Sequence, residues 1–575
     1  MADANLARQL TEQVSRLRQR QTAPLILELD LTDGIAEGPV TDPVSAFMSR
    51  RKLRLPDVIE GLRRARQDDR VRALVVKVGG GRIGLARMQE IREAVATFRD
   101  SGKLTVAWSE SFGEFTGGNA PYYLATAFDR IYLQPSGSVG LTGVAVEQLF
   151  LHDALAKIGV AFQSAKRHEY KSAADNLTER GFTGPVREAA ERMAVSVAEQ
   201  LAAAIAERRG KTGEEARTLL DRGPFLAEDA LAEGLVDALC YRDEVYADVR
   251  KEAGADAILQ YVARYQRAHA LAQRARKLPN PRERFVAVIH ASGPIRQGRS
   301  SRSPVGGSSM GSDTVAAALR SATADERVRA VLLRVNSPGG SAIASDTIWR
   351  EVVRTRAAGK PVVVSMSDVA ASGGYYISMA ADVIVAQPGT LTGSIGVILG
   401  KPVFEEAFGR LGITTDSVSV GTGARMFAPT HPFSEDEWQR INTWLDAIYR
   451  DFTEKAAAGR RMTVEQVHEV ARGRVWTGAD AARNGLVDEL GGMAAGAGIA
   501  RRRAGLPADA PLRVYPRLTP LDQLRPPESS ESRPAAAARL ELGLADAWGP
   551  AWRLAAQAGL SPYGPLMLPG RWIIS

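Results

Sequence analysis

The sequence predicts an α/β protein built from two tandem repeats. Short apolar strands alternate with segments of helical periodicity, which is the pattern of a largely parallel sheet covered by helices. The first half of the chain also reappears in the second. Asp69–Val78 matches Glu326–Val335 at an offset of 257 residues, and Asp129–Pro135 matches Asp382–Pro388 at an offset of 253. Chance explains poorly a set of matches that keep their order and nearly their spacing.

The predicted elements alternate in order along the second repeat. Short apolar runs indicate strands, and longer amphipathic segments indicate helices. In order, they are strand Phe285–His290, helix Thr314–Ala324, strand Ala330–Val335, helix Ser345–Ala358, strand Pro361–Met366, helix Gly374–Ala380 and strand Val383–Ala386. Residues 300–312, rich in Gly and Ser, are expected to form a flexible surface loop. A mostly helical stretch closes each repeat, at 188–239 and at 435–490.

Domain boundaries follow from shifts in composition. Residues 1–22 carry apolar side chains at helical spacing and are expected to form an amphipathic helix. The first repeat is placed at 23–247, a charged connecting helix at 248–283 and the second repeat at 284–515. Residues 516–575, rich in Pro, Ala and Trp, are expected to be a tail that docks on the protein or contacts a membrane interface.

Composition narrows the classes of function. The 575 residues are 45% apolar and 24% charged, which is typical of a globular protein. One cysteine, Cys240, excludes an internal disulfide and a cysteine-based metal site, and six scattered histidines disfavour a zinc enzyme. The net charge of +8 comes mostly from dispersed arginines, which favours a solvated basic surface over nucleic-acid binding. No cofactor, metal or nucleic-acid partner is expected.

The location of the protein is expected to be cytoplasmic or peripheral to a membrane. The N-terminal segment lacks the continuous apolar core of a signal peptide. No run of about 20 apolar residues is present to span a bilayer.

The main candidate for chemistry is Ser372, which lies between two alanines and two glycines. An apolar strand precedes it and helix-compatible residues follow, the layout of a nucleophile at a sharp strand-to-helix turn. A second glycine turn, Asn336–Gly340, also follows an apolar strand. Two such turns side by side could form an oxyanion hole, although both could equally be ordinary βα turns.

The internal repeat distinguishes these alternatives. Aligning Tyr122-Tyr123 with Tyr375-Tyr376 puts Asn119 opposite Ser372, and Pro121 nearby has no N–H to offer. The turn of the first repeat therefore has no nucleophile. Acyl-transfer chemistry is predicted only in the second repeat.

A serine nucleophile needs a base, and the first repeat offers one. Lys171 lies in the segment Lys166–Ala174, and the equivalent positions of the second repeat are Arg425 or Met426, neither of which can act as a base. One repeat has the serine and the other has the lysine. This predicts one composite Ser/Lys site, with Lys166 as the rival base.

Five motifs together carry a family resemblance: NSPGG, ASGGYY, TLTGSIGV, YKSA and GLVDELGG. Over residues 23–515 the chain resembles the long, tandem-domain form of the signal peptide peptidase A family of serine proteases. The resemblance implies a crotonase-like fold related to the Clp protease. It also implies Ser372 as nucleophile, Lys171 as general base and Ser394 as the residue that orients the lysine. The oxyanion hole would be formed by N–H groups of Gly373 and of Gly339 or Gly340.

The resemblance further implies a ring-shaped homotetramer that cleaves remnant signal peptides and other extended apolar peptides. Two other functions remain open at this stage. A crotonase-type acyl-CoA enzyme would share the fold and the oxyanion turns. A non-catalytic assembly scaffold would need neither the serine nor the lysine.

Overall fold

The computed structural model describes residues 23–38, 53–79, 83–114, 116–276, 280, 282–303 and 307–516, together with three short strands of the tail at 539–540, 566–567 and 573–574. The predicted amphipathic helix at 1–22 lies outside the described residues. So do most of the predicted tail and its three tryptophans, Trp548, Trp552 and Trp572.

The first repeat alternates strands and helices. Its elements are β1 (Leu25–Asp30), α1 (Leu55–Ala65), β2 (Val71–Lys77), α2 (Leu85–Arg99), β3 (Leu104–Ser109), α3 (Asn119–Ala125), β4 (Arg130–Leu133), β5 (Ser138–Val139), β6 (Val146–Glu147), α4 (His152–Lys157), β7 (Ala161–Lys166), α5 (Asp175–Thr178), α6 (Gly184–Arg209), α7 (Gly213–Arg222), β8 (Phe225–Leu226), α8 (Ala227–Ala232), β9 (Ala238–Leu239), α9 (Arg242–Ala253), β10 (Ile258–Tyr261) and α10 (Val262–Arg276).

The second repeat follows the same plan. Its elements are β11 (Phe285–Ser292), β12 (Ile295–Arg296), β13 (Ser301–Ser303), β14 (Gly307–Gly311), α11 (Ser312–Ala324), β15 (Val328–Ser337), β16 (Gly339–Gly340), α12 (Ala342–Ala357), β17 (Val362–Ala371), α13 (Gly373–Tyr376), β18 (Val383–Ala386), β19 (Leu391–Gly393), β20 (Ile398–Val403), α14 (Glu405–Arg410), α15 (Glu435–Arg460), α16 (Val464–Val470), β21 (Val475–Thr477), α17 (Gly478–Arg483), β22 (Glu489–Leu490), α18 (Met493–Arg503) and β23 (Leu512–Val514).

The two central sheets have the same strand order. The first sheet runs β10-β1-β2-β3-β4-β9, and the second contains the path β23-β11-β15-β17-β18-β22. Each neighbouring pair on these two paths is parallel. The strands read as nearly continuous apolar runs because helices cover both faces of a parallel sheet. The predicted α/β class and the tandem repeat are confirmed.

Equivalent hydrogen bonds recur in the two repeats. Tyr122 Oη donates to Leu235 O at 2.6 Å in the first, and Tyr375 Oη donates to Leu486 O at 3.0 Å in the second. Both leucines belong to the repeated motif Gly-Leu-Val-Asp. The sequence repeat is therefore a structural repeat down to the contacts of buried side chains.

The predicted connecting helix at 248–283 is not one continuous helix. Instead, α9 ends at Ala253, where Gly254 adopts a φ of 107°, and Ile258–Tyr261 then forms β10 beside β1. A helix cannot continue through that left-handed residue, and the backbone of β10 finds its hydrogen bonds at the open edge of β1. The first repeat therefore includes β10, as the second includes β23.

The predicted flexible loop at 300–312 is also wrong. Ser301–Ser303 and Gly307–Gly311 are antiparallel strands, and the hydroxyls of Ser301 and Ser309 lie 2.9 Å apart. Small polar residues that read as a loop are paired here, because each strand supplies the partner the other needs. A smaller difference is that the helix predicted at 374–380 covers only Gly373–Tyr376.

The repeats are joined by a ribbon of two antiparallel strands, β7 from the first and β20 from the second. Lys166 is opposite Ile398 and Ala161 is opposite Val403. This pairing brings the segment after Lys166 beside the segment before Ile398. The ribbon therefore places the loop that follows β7 in the first repeat next to the second repeat.

The described tail strands pair with the body of the protein. Arg539–Leu540 (β24) lies beside β13, Leu566–Met567 (β25) runs antiparallel to Gly339–Gly340, and Ile573–Ile574 (β26) pairs with β6. These contacts favour docking of the tail over the alternative of a membrane anchor. Among the described helices, none is both long and apolar enough to cross a bilayer.

Candidate active site

Ser372 occupies a strained turn between β17 and α13. Its backbone has a φ of 55° and a ψ of −115°, and its N–H donates to Gly393 O at 2.8 Å. A non-glycine residue in such a conformation costs about 1–3 kcal/mol and persists only where its surroundings impose it. Parallel pairing of β17 with β19 fixes both sides of the turn, with Ala371 opposite Gly393.

The second glycine turn lies directly against the first. A Cβ placed on Gly373 would be 3.1 Å from Gly340 N and 3.1 Å from Gly339 Cα, which only glycine at position 373 avoids. Gly339 N–H donates to Ser337 Oγ at 3.2 Å. The two predicted oxyanion turns are thus neighbours at the carboxyl ends of adjacent strands.

Lys171 reaches Ser372 from the other repeat of the same chain. Its Nζ lies 2.7 Å from Ser372 Oγ, and the whole side chain is 0% exposed. Burial alone holds the pKa of Lys171 well below its ordinary value, because no carboxylate partner offsets the loss of water. The sequence left open whether these residues meet within one chain, and here they do.

Ser394 is the third group at the amine. Its Oγ lies 3.1 Å and its carbonyl oxygen 3.2 Å from Lys171 Nζ. Its backbone φ is 50°, and it is fully buried. The amine is therefore surrounded by three oxygens and no charge.

The rival lysine lies in a different environment. Lys166 Nζ forms an ion pair with Asp175 Oδ1 at 2.6 Å. Lys166 is thus held by a carboxylate of its own repeat and is directed away from the serine. Of the two lysines, only Lys171 contacts Ser372.

A buried ionic cluster behind the site was not found from the sequence. Arg334, on β15, is 1% exposed and pairs with Glu37 at 2.5 Å and with Glu90, both from the first repeat. Glu37 also accepts a hydrogen bond from Asn336 Nδ2 at 2.8 Å. Burial opposes ionisation of Glu37, but Arg334 holds the pKa of this carboxyl below its ordinary value.

One sequence signal could have revealed this cluster. Arg334 interrupts the apolar run of β15, and a charged residue inside a buried strand requires a partner. The identity of the partners, however, depends on contacts 297 and 244 residues apart in the chain.

The equivalent turn of the first repeat, at Asn119, has an unstrained backbone. Asn119 Nδ2 donates to Gly143 O at 2.7 Å, and Asn119 Oδ1 accepts from Thr142 N at 3.2 Å. The preceding Gly118 has a φ of −105°, and Asn119 itself has no positive φ, so Asn119 does not adopt the conformation of Ser372. The side-chain amide of Asn119 thus stabilises the loop at Thr142–Gly143 through hydrogen bonds to its backbone.

A metal site is not found among the described residues, where no group of three or more His, Cys, Asp or Glu side chains is arranged to hold an ion. His168, close to Lys171 in sequence, packs its ring against Tyr449 and His468 and does not contact the serine. The residues gathered at the site are thus a serine, a buried amine, an orienting serine and glycine N–H groups.

A family model and several known proteins match this chain. Residues 97–256 and 354–506 match the family described as peptidase family S49. The chain is 33% identical over 490 residues to Protease 4 of Salmonella typhi, covering 82% of this chain and 77% of that protein. It is 31% identical over 457 residues to the chloroplastic serine protease SPPA of Arabidopsis thaliana, covering 79% of this chain and 66% of that protein.

A shorter relative matches mainly one region. The putative signal peptide peptidase SppA of Enterococcus faecium is 39% identical over 167 residues, which is 29% of this chain and 48% of that protein. The first two relatives therefore match most of this chain, and the third matches less than a third of it.

Proposed function

The chain belongs to peptidase family S49, and from this membership we propose that it is a serine endopeptidase with Ser372 as nucleophile and Lys171 as general base. The observation that carries the proposal is the 2.7 Å contact between Ser372 Oγ and a fully buried lysine amine without a counter-charge. A lysine acts as a base only when its pKa is lowered, and burial supplies that shift here.

The three contacts of the amine fit its neutral form. A neutral amine has two N–H donors and one lone pair. The carbonyl oxygen of Ser394 can only accept, and Ser394 Oγ can accept the second N–H. The lone pair is then directed at Ser372, whose hydroxyl donates to it. Ser394 accordingly orients the base.

In the proposed reaction, Ser372 Oγ attacks the carbonyl carbon of the scissile peptide bond while its proton passes to Lys171. The resulting tetrahedral intermediate collapses when the lysine ammonium returns that proton to the leaving amine, and an acyl-enzyme remains. Water then attacks the ester, again losing its proton to Lys171, and the serine leaves with that proton.

The oxyanion would be held by the N–H groups of Gly373 and Gly340. Gly340 N is one of the atoms nearest to an added Cβ on Gly373, together with Ser345 Oγ and Gly339 Cα, whereas Gly339 N–H already donates to Ser337 Oγ. This favours Gly340 over Gly339, the choice that the sequence left open. Losing one such donor costs about 2.7–4 kcal/mol of transition-state stabilisation.

Extended apolar peptides, including remnant signal peptides, are the proposed substrates. The name of the Enterococcus faecium relative includes signal peptides. Within this chain, Leu566–Met567 pairs antiparallel with Gly339–Gly340, so this edge accepts an extended backbone. A substrate strand would take the place of that segment beside the oxyanion glycines.

The predicted homotetramer and peripheral membrane contact extend the proposal. Several large apolar side chains are exposed and could bury against another copy: Leu149, Ile158, Leu411, Val418 and Val420. Light scattering of the purified protein would contradict the tetramer if the mass were that of one chain. Equal co-sedimentation of full-length protein and a Leu540–Ser575 deletion with vesicles would contradict membrane contact through the tail.

The experiment that tests the proposed function is cleavage of a fluorogenic apolar peptide by wild type and Ser372→Ala. We expect kcat to fall by about 10⁵–10⁶-fold, because a nucleophile and its base act as a unit. Asn119→Ala is the matched control from the first repeat and should leave kcat unchanged. Turnover by Ser372→Ala at the wild-type rate would contradict the peptidase assignment. The scaffold and the acyl-CoA enzyme would then again be open as functions.

A further inference from the structure

A short loop of the second repeat, Arg472–Arg474, lies between the base and the residue that orients it. We call it the bridging loop. Tyr170 N–H, next to the base, donates to its first carbonyl at 3.2 Å. Its middle N–H donates to Ile395 O at 2.8 Å, and its last carbonyl accepts from Ser394 N at 2.7 Å. Three consecutive residues therefore tie the segment Tyr170–Lys171 of the first repeat to the segment Ser394–Ile395 of the second.

The centre of the bridging loop touches the main chain of the base. Gly473 has a φ of 85°, and a Cβ at this position would lie 2.5 Å from Lys171 N and 2.5 Å from Lys171 Cβ. Gly396 lies on the lysine stem, where an added Cβ would be 3.2 Å from Cδ. The lysine is thus seated between two glycines of the second repeat, with no room for a side chain at position 473.

The arginines of the bridging loop hold it to the first repeat. Arg472 Nη1 donates to Glu169 Oε1 at 3.0 Å, and Arg474 Nη2 donates to Glu188 Oε1 at 2.6 Å. Both guanidinium groups also lie over the ring of Tyr170, at 5.4 and 5.0 Å from its centroid. The loop is therefore fastened on both sides of the lysine by paired charges.

The charged groups around the base have partners of their own. Beyond the two arginine–glutamate pairs, the residues before Lys171 pair as Lys166 with Asp175, Arg167 with Asp446, and His168 with the rings of His468 and Tyr449. Burial, and not a nearby charge, lowers the pKa of Lys171. The position of the Lys171 amine and its exclusion from water therefore depend on the packing of the residues around it.

We infer that the bridging loop is a positioning element that sets the distance from the Lys171 amine to Ser372 and keeps water from it. Gly473, Arg472 and Arg474 act through Lys171 and do not touch the reacting atoms. The inference rests on the proposed function, because it assigns these residues to the support of the proposed base. Through this loop, the second repeat also positions the base that the first repeat supplies.

The test compares Gly473→Ala with Gly485→Ala in the full-length protein. Gly485 has a similar φ of 75°, but its nearest neighbour to an added Cβ is Met462 Sδ at 3.7 Å. Both substitutions carry the same backbone strain, and only the first one displaces the base. We expect kcat of Gly473→Ala to fall about 100-fold or more with KM within about threefold of wild type.

The pH profile separates positioning from a loss of folding. A displaced amine becomes hydrated, and its pKa rises toward the ordinary value of about 10.4. The acid limb of kcat/KM should therefore move to higher pH in Gly473→Ala and stay in place in Gly485→Ala. Glu188→Gln, a change at an exposed carboxylate, should give a smaller shift in the same direction, and it serves if Gly473→Ala does not fold.

Two results would be contradictory in different ways. If wild type shows cleavage that depends on Ser372, but Gly473→Ala and Glu188→Gln keep the wild-type acid limb, the positioning role is wrong and the proposed function stands. If wild type shows no cleavage that depends on Ser372, the proposed function fails and the bridging loop has no base to position.

Discussion

The Ser372 turn and the Asn119 turn occupy equivalent places in two copies of one fold. At Ser372 the backbone is strained, with a φ of 55°, and the side chain contacts only the base. At Asn119 the side-chain amide is fully engaged with Gly143 and Thr142. The Ser372 turn thus combines backbone strain with a contact to the Lys171 amine, whereas the Asn119 turn uses its side chain to stabilise a loop.

Under the proposed function, the two copies of the fold divide one active site between them. The first repeat has Asn119 in place of the serine and contributes Lys171, which the β7–β20 ribbon brings to the second repeat. The second repeat supplies the serines, the glycine N–H groups and the seat of the lysine. Neither repeat contains a complete site, so activity requires that the two pack correctly.

The largest expected effect distinguishes Lys171 from Lys166, the rival candidate for the base. Lys171→Met should reduce kcat by about 10⁴-fold or more, because the serine loses its proton acceptor. Lys166→Met should keep kcat within about tenfold of wild type, since its ammonium pairs with Asp175 and does not contact the serine. Peptide cleavage by the two purified variants is the measurement, and a greater loss in Lys166→Met would assign the base to that lysine.

The same two variants should change stability in opposite directions. The pKa of Lys171 is lowered in the folded state, so the unfolded chain binds a proton that the folded protein does not. Wild-type stability should therefore rise with pH up to about 10.4, the ordinary lysine pKa. Lys171→Met removes this penalty and should be more stable than wild type at pH 7, by a margin that shrinks as the pH rises.

Lys166→Met should instead destabilise the protein by about 1–3 kcal/mol, because Asp175 would lose its partner in a buried site. Urea unfolding at several pH values checks both signs. A Lys171→Met variant less stable than wild type at pH 7 would contradict a neutral, desolvated amine.

A second pair of equivalent positions contrasts buried and exposed charge. Arg334 of the second repeat is opposite Lys77 of the first. Arg334→Met would leave Glu37 and Glu90 buried without their cation and should cost about 3–5 kcal/mol of unfolding free energy. Lys77→Met breaks a pair whose carboxylate, Glu110, is 57% exposed and should cost less than about 1 kcal/mol.

Thermal or urea unfolding measures this difference directly. Equal losses at the two positions would show that the ionic cluster behind the site contributes no more than a surface pair. We also expect the Arg334 variant to lose activity beyond its loss of stability, because Glu37 would no longer be held beside Asn336 and the oxyanion turn.

The smallest expected effect concerns the orienting serine. Ser394→Ala removes one of two oxygens of this residue at the amine and should lower kcat about 10- to 100-fold, less than the loss of the base itself. Ser378→Ala is a matched control, because that buried hydroxyl donates to Gly374 O at 2.7 Å and does not reach the amine. Equal kinetics in the two variants would assign Ser394 a structural role alone.

Much of the fold and the site could be predicted because the chain carries two copies of one pattern. The repeat pointed to Ser372 by showing the same turn with Asn119, and to Lys171 by showing that the second copy lacks it. Local sequence alone gave each residue an equally good structural interpretation. The comparison between the copies supplied the information that a single turn does not.

The rest depended on partners far away in the chain. Ile258–Tyr261 follows a charged helix and reads as its continuation, yet it becomes a strand because β1 offers an open edge. The need for glycine at position 473 comes from Lys171, about three hundred residues earlier. Such contacts leave no periodicity in the sequence.

The central claim is one composite site in which Lys171 activates Ser372. It is tested most directly by labelling with a covalent serine-reactive probe at several pH values, followed by peptide mapping. We predict a single modified residue, Ser372, with a labelling rate that rises with pH through the lowered pKa of Lys171 and falls at least about 100-fold in Lys171→Met. Label on another residue, or an unchanged rate in Lys171→Met, would contradict the account.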